Sequence, residues 1–144
     1  ADVNRAKREL ERLKRIAKAE GVYDDTRFRD EIARLEVDVV ALEMMVLRVL
    51  AAEKSGKQSL DVAGLLKIRG SEIQQRYSEL MMLAAGPYAL PLIHEAMEAG
   101  WQGDAVGALH CAPLATTYLN MRKTTIYGGS NEVQRNIVSQ VVLG

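Results

Sequence analysis

No proline occurs before Pro87, and the other two, Pro91 and Pro113, follow closely. A proline inside a helix removes a hydrogen bond and clashes with the preceding turn, so everything before position 87 and after 113 is free to be helical. Those stretches are filled by apolar residues at steps of three and four, the period of a helix face. Val3, Ala6, Leu10, Leu13 and Ala17 make one stripe over about 2–19. Asp2 and Lys18 sit at the ends that suit the helix dipole, and Gly21 supplies a stop.

A second helix is predicted over about 26–54, capped by Asp25 or Thr26 and ended by Ser55-Gly56. Ile32, Leu35, Val39, Leu42, Val46 and Val49 run down one face; Ala41, Met45 and Leu50 widen it enough to predict burial on more than one side. A third is predicted over about 60–85, capped by Ser59 or Asp61, with Val62, Leu65, Leu66, Ile73, Tyr77, Leu80 and Leu83 inward and Gly86-Pro87 as its stop. Gly64 and Gly70 cost this helix about 1 kcal/mol each against alanine and allow a neighbour to approach closely. Residues 86–110 are irregular, with a short helix near 91–98 and a loop holding Gly100, Gly103 and Gly107. A fourth helix over about 112–125 uses Leu114, Tyr118 and Met121. After a turn at Gly128-Gly129, a fifth runs over about 131–143, capped by Ser130, with Val133, Ile137, Val141 and Val138 inward. No stretch alternates like a strand. The fold predicted is all-α, an antiparallel up-and-down helical bundle, with Val39, Leu42, Val46, Leu65, Tyr77, Leu80 and Ile137 in its core.

At 144 residues the chain makes one domain, and 48% hydrophobic with 26% charged residues is the balance of a globular protein rather than a disordered one. The lone Cys111 excludes an internal disulfide framework and a multi-cysteine zinc site and fits a reducing compartment. No apolar run reaches the roughly 18 residues of a membrane span, and the charged opening is no signal peptide; a cytoplasmic location is expected. The first residue is Ala1 rather than Met, which suggests a domain of a longer protein.

Few residues point to chemistry. Lys and Arg total 19, as do Asp and Glu, so net charge names no partner. The first helix is basic, which suits nucleic acid or a membrane surface, but no aromatic interleaves its charges; a solvated face with pairs such as Glu11–Arg15 is the better reading. His94 and His110, the latter beside Cys111, lack the further ligands a zinc site needs. Six methionines at helical spacing read as core filler before they read as a plastic groove. The segment 124–137 differs. Gly128-Gly129 lets a backbone approach a flat ligand without a Cβ in the way, and Ser130 opens a helix whose first N–H groups can meet an anionic or electron-rich edge. By physics alone this is either a ligand loop or an ordinary hinge between two helices.

The run Ile126-Tyr127-Gly128-Gly129-Ser130-Asn131-Glu132-Val133-Gln134-Arg135-Asn136-Ile137 strongly resembles the C-terminal signature of acyl-CoA dehydrogenases, Ile-Tyr-(Glu or Gly)-Gly-(Thr or Ser)-x-x-Ile-Gln-Arg-x-Ile. Residues 26–86 resemble the two long helices of that family's C-terminal domain, and 1–20 the back half of the helix before them. Leu-Lys-Arg-Ile-Ala at 13–17, Arg-Phe-Arg at 27–29 and Ala-Ala-Gly-Pro-Tyr at 84–88 are most similar to bacterial members of the large-subunit type, some of which pair with a diverged second subunit.

The resemblance implies an FAD-dependent α,β-dehydrogenation of an acyl-CoA thioester, with electrons passed to an electron-transfer flavoprotein or similar acceptor, in a homo- or hetero-oligomer. It implies cofactor-binding roles for Ser130, Asn131 and Glu132 and substrate-binding roles for Tyr127 and Gly129. The position that in many members carries the catalytic glutamate is Gly128, so no catalytic residue is assigned in this chain. Members with glycine there generally take their base from the helix preceding the two long ones, which implies a carboxylate just upstream of Ala1. Two motifs depart from the family: Arg27-Phe28 is an echo of Arg-x-x-Phe-Gly, and Leu83 to Tyr88 replace Gln-x-x-Gly-Gly-x-Gly, both FAD contacts. The isolated chain is therefore expected to hold FAD weakly and to be inactive. The alternatives are a non-catalytic or diverged partner subunit and, more remotely, an unrelated basic interaction module.

Overall fold

The structure, a computed structural model, describes residues 2–56 and 60–143. Five α-helices carry it: α1 Val3–Ala19, α2 Thr26–Lys54, α3 Leu60–Ala85, α4 Leu114–Met121 and α5 Asn131–Leu143, with short 3-10 turns between α3 and α5. No strand occurs among the described residues. α3 is the axis of the bundle and packs against α1, α2, α4 and α5.

The helix ends follow from local chemistry. The Asp2 carboxylate accepts from the Arg5 N–H at 2.9 Å and Asp25 from the Arg27 N–H at 2.8 Å, each satisfying an orphan donor of a first turn. Gly21 takes φ +74 after α1, where the Val22 N–H returns to the Ala17 carbonyl at 3.0 Å; Gly56 does the same job after α2 at φ +72. The caps predicted at Ser59 and Asp61 fall outside the described residues and side chains.

The core joins Leu10, Leu13 and Ile16 of α1, Ile32, Leu35, Val39 and Leu42 of α2, and Ile73, Tyr77, Leu80 and Met81 of α3. Leu114 of α4 and Cys111 close it. Around this core α1's charges reach neighbours: Lys7 meets Glu43 at 2.7 Å, and Lys14 bridges Glu11 and Glu36. Lys14 thus takes the Glu11 partner predicted for Arg15.

Several predicted core positions lie elsewhere. Leu65 is 38% and Ile137 45% exposed, and Val46 is half-buried. Val133 and Val141 of α5 also face out, and of that predicted stripe only Val138 is half-buried. Nor is α2 buried on more than one side: Val37, Val40, Met44, Leu47 and Leu50 form an exposed apolar stripe. Periodicity identifies residues that share a face, but α2 and α5 each have an apolar face that nothing among the described residues covers. The helix expected near 91–98 is reduced to a 3-10 turn, Glu95–Met97, with no buried residue; so short a segment has no packing to offset nucleation. The fourth helix tightens into a 3-10 turn over Arg122–Thr125. Of the methionines, Met81 is fully buried, while Met44 and Met97 are half exposed.

Candidate functional site

The loop from Ile126 to Ser130 joins the end of the α4 segment to α5 and is held down on both sides by α3. Lys67, Ser71, Gln75 and Ser78 recur at steps of four, four and three, so one polar stripe of α3 faces the loop and its flanks. On the entry side the Gln75 side-chain amide donates to the carbonyls of Met121 and Arg122 at 3.3 and 3.2 Å and to Thr125 Oγ1 at 3.2 Å. Arg122 returns the contact, donating to the Gln75 carbonyl at 3.0 Å and to Ser78 Oγ at 3.4 Å, while its guanidinium lies 4.2 Å from the centre of the Tyr118 ring. Thr124, fully buried, donates to the Met121 carbonyl at 2.7 Å.

On the exit side Asn131 is buried and locked. Its amide nitrogen donates to Ser71 Oγ at 3.1 Å, Ser71 Oγ donates to the Ile68 carbonyl at 2.8 Å, and Lys67 Nζ donates to Asn131 Oδ1 at 2.7 Å. Reversing the amide would turn its NH2 toward an ammonium, donor against donor, so the network fixes one orientation. Farther along, Gly64 lets α5 come close: a Cβ on it would lie 2.9 Å from Val138 Cγ2.

Between these anchors the loop stands clear. Tyr127 is 54% exposed, and Gly128 and Gly129 are exposed with φ +68 and +82. A Cβ on Gly129 would fall 2.6 Å from the Gln134 side-chain nitrogen, which folds back to donate to the Gly128 carbonyl at 3.4 Å. Ser130 is half-buried, and its Oγ accepts from the Val133 N–H at 3.4 Å, a weak cap for α5. Glu132 is exposed; its own backbone N–H first, then the Ser130 hydroxyl, hold its carboxyl below the usual range. An open cavity of about 320 Å³ lies behind the loop, lined by Lys67, Gly70, Ser71, Gln74, Thr124 and Tyr127 among others.

The predicted site residues therefore split. Tyr127, Gly128, Gly129, Ser130 and Glu132 form one accessible edge. Asn131 turns its side chain into the bundle, where it anchors the loop. Gly128 carries no ionisable group. The acidic residues of α1 are occupied: Asp2 caps, Glu9 pairs with Arg12 at 3.5 Å and Glu11 with Lys14 at 3.0 Å. The α3 stripe is not singled out by sequence, because α3 also carries Arg69, Glu72, Gln74, Arg76 and Glu79 on other faces and the spacing of Lys67, Ser71, Gln75 and Ser78 does not distinguish them.

A second cluster forms at the far end of α1. One Glu20 carboxylate oxygen lies 2.6 Å from His110 Nε2 and 3.8 Å from Cys111 Sγ. The three ligand atoms lie within 4.8 Å of one another, but burial and then the Glu20 charge push the Cys111 thiol up, favouring its protonated form. Arg12 and Arg15 line the adjoining hollow, and their charge opposes a dication. Its donors serve one another, tying the end of α1 to the 109–111 turn. No helix among the described residues is long and apolar enough to cross a membrane.

The chain is similar to known proteins in sequence and fold. The chain is 29% identical over 137 residues to acyl-CoA dehydrogenase IpdE1 of Mycolicibacterium smegmatis and 28% identical over 140 residues to IpdE1 of Mycobacterium tuberculosis. Each match takes in 95% of this chain but only 30% and 31% of the relative, so the chain spans about a third of their length. Among solved structures, the Tcur3481-Tcur3483 steroid ACAD superposes with a TM-score of 0.75 at 20% identity, covering 99% of this chain and 34% of that one. Its G363A variant superposes with a TM-score of 0.74, also at 20% identity, covering 99% of this chain and 35% of that one. At that identity the likeness is one of fold. Residues 3–143 match the family described as acyl-CoA dehydrogenase, C-terminal domain, and the chain accordingly belongs to the acyl-CoA dehydrogenase family, of which it forms the C-terminal helical domain.

Proposed function

We propose that the full-length protein is an FAD-dependent acyl-CoA dehydrogenase and that this domain contributes the edge Tyr127 to Glu132 to its flavin and thioester site. The observation that carries the reading is the exposed, side-chain-free Gly128-Gly129 backbone, clamped at both flanks to α3 and opening directly onto the N-terminus of α5. The donor set suits the flavin: two glycines admit a flat ring system at backbone distance, and the Ser130 hydroxyl and the first turn of α5 offer donors to electron-rich atoms. FAD, when bound, supplies the acceptor for the β-hydride.

This chain's residues orient and enclose. Gly129 and Tyr127 border the thioester, and Ser130 and Glu132 border the cofactor. Asn131 acts through its anchor rather than by touching ligand. The α-proton must go to a carboxylate within hydrogen-bond reach. Gly128 offers none, and Asp2, Glu9 and Glu11 are engaged in a cap and ion pairs; the resemblance to family members with glycine at this position implies a glutamate base on the same helix upstream of Ala1. The apolar stripes on α2 and α5 are surfaces for the rest of the subunit or for other subunits of an oligomer. Adding acyl-CoA thioesters, a steroid-derived one among them, to the full-length protein with an artificial electron acceptor tests the reading. Turnover with any of them supports it; a protein that carries flavin but oxidises none, while its partner subunit does, would place it among the diverged non-catalytic subunits.

A further inference from the structure

Lys67, like Arg122 at the other flank, is a half-buried cation beside the loop whose side-chain hydrogen bond goes to a neutral group. Arg69 and Arg135 reach Glu72 at 3.2 and 3.0 Å and Arg76 pairs with Glu31 and Glu79, whereas among the described residues the one side-chain acceptor of half-buried Lys67 is a neutral amide, Asn131 Oδ1. The Lys67–Asn131 bond, 2.7 Å long, is a charge-assisted contact into a buried side chain, and the same ammonium acts on the Glu132 carboxylate one residue on, so Lys67 bears on the first turn of α5 at two adjacent positions.

We propose that Lys67 is a positioning residue: through Asn131 it holds the first turn of α5, and with it the Gly128-Gly129-Ser130 backbone, in register with α3. The geometry supports a division of labour. Gln75 and Arg122 fix where the loop begins; Lys67 and Ser71 fix where it ends. Without Lys67, Asn131 Oδ1 loses its charge-assisted partner, and the five residues between the anchors gain freedom at their α5 end. The α1–α2–α3 core is untouched, because Lys67 contributes nothing to it. A loop that must present backbone donors to a ligand is sensitive to such loosening: a misplacement near 1 Å costs about 100-fold in rate.

The role rests on the proposed dehydrogenase reading, so its test has an arm that does not. In full-length Lys67→Met, amide hydrogen exchange at residues 128–133 should quicken by about tenfold or more while the amides of α1 and α2 keep their protection. In turnover, kcat should fall by about 10–100-fold with KM for the thioester within about threefold. Lys67→Cys alkylated with bromoethylamine rebuilds an ammonium of nearly the same reach and should restore both, beside wild-type protein given the same treatment. Unchanged exchange at 128–133 in Lys67→Met overturns the proposal, as does loosening spread evenly over the bundle. So does a kcat loss that aminoethylation leaves in place. Wild-type protein without thioester oxidation overturns the dehydrogenase reading instead, and the exchange arm still decides whether Lys67 sets the loop.

Discussion

Gly64 of α3 lies so close beneath Val138 of α5 that a single added carbon would sit 2.9 Å from Val138 Cγ2. This contact, the Asn131 anchor and the Arg135–Glu72 pair at 3.0 Å seat α5 on α3, while most of its apolar side chains face away. The position of the Gly128-Gly129 loop depends on this seating.

Gly64→Leu forces the helices apart and should destabilise the protein by about 1–3 kcal/mol, the range for overpacking. Gly64→Ala is a sign test: its methyl meets Val138, but alanine gains up to about 1 kcal/mol of helix propensity over glycine, so its net effect should be far smaller. Urea denaturation of both variants measures this. Equal midpoints for Gly64→Leu and wild type would contradict the contact.

Asn131→Leu removes an amide that satisfies Ser71 and Lys67 at once. Leaving buried partners unsatisfied costs about 1–3 kcal/mol, whereas Glu132→Gln one residue on, at an exposed side chain, should stay within about 0.5 kcal/mol. The contrast between adjacent positions, read by thermal or denaturant unfolding, checks that Asn131 anchors while Glu132 faces out.

Acid should weaken the α2–α3 junction. The hydrogen bond from Arg76 holds the Glu31 carboxyl below its usual value of 4.5. A depressed carboxylate contributes stability that is fully present above its unfolded pKa and is lost as pH falls through the lower folded one. Stability should therefore decline below about pH 4.5, and Glu31→Gln should flatten that limb. An identical acid limb in the variant would remove the pair from the account.

The stripe Val37, Val40, Met44 and Leu47 on α2 is the surface proposed for assembly. Val40→Asp with Leu47→Asp should lower the mass of the full-length protein in light scattering without changing its helical circular dichroism. An unchanged mass would assign the stripe to another part of the same subunit.

The helices were legible because their ends are written in local chemistry. Asp2, Gly21, Asp25 and Gly56 each satisfy or terminate a turn that their own few neighbours define, and the absence of proline before Pro87 leaves the interiors intact. Leu65 and Ile137 lie outside the core because periodicity names a face without saying what covers it; α3 has neighbours on several sides, and α5 meets it through Asn131, Gln134, Arg135 and Val138 rather than through Ile137. The loop was found from its glycines, while its supports were not. Lys67, Ser71 and Gln75 look like ordinary polar helix residues until α4 and α5 are folded against them across more than 45 positions of chain.

The most direct test of the account is anaerobic titration of the full-length, flavin-loaded protein with acyl-CoA thioesters. The account predicts that a thioester bleaches the oxidised-flavin absorbance and yields the α,β-unsaturated product, and that Gly129→Val, which fills the bare backbone edge, slows the bleaching while the flavin stays bound. Full-rate bleaching by Gly129→Val, or a full-length protein that binds no flavin and oxidises no thioester, would contradict it.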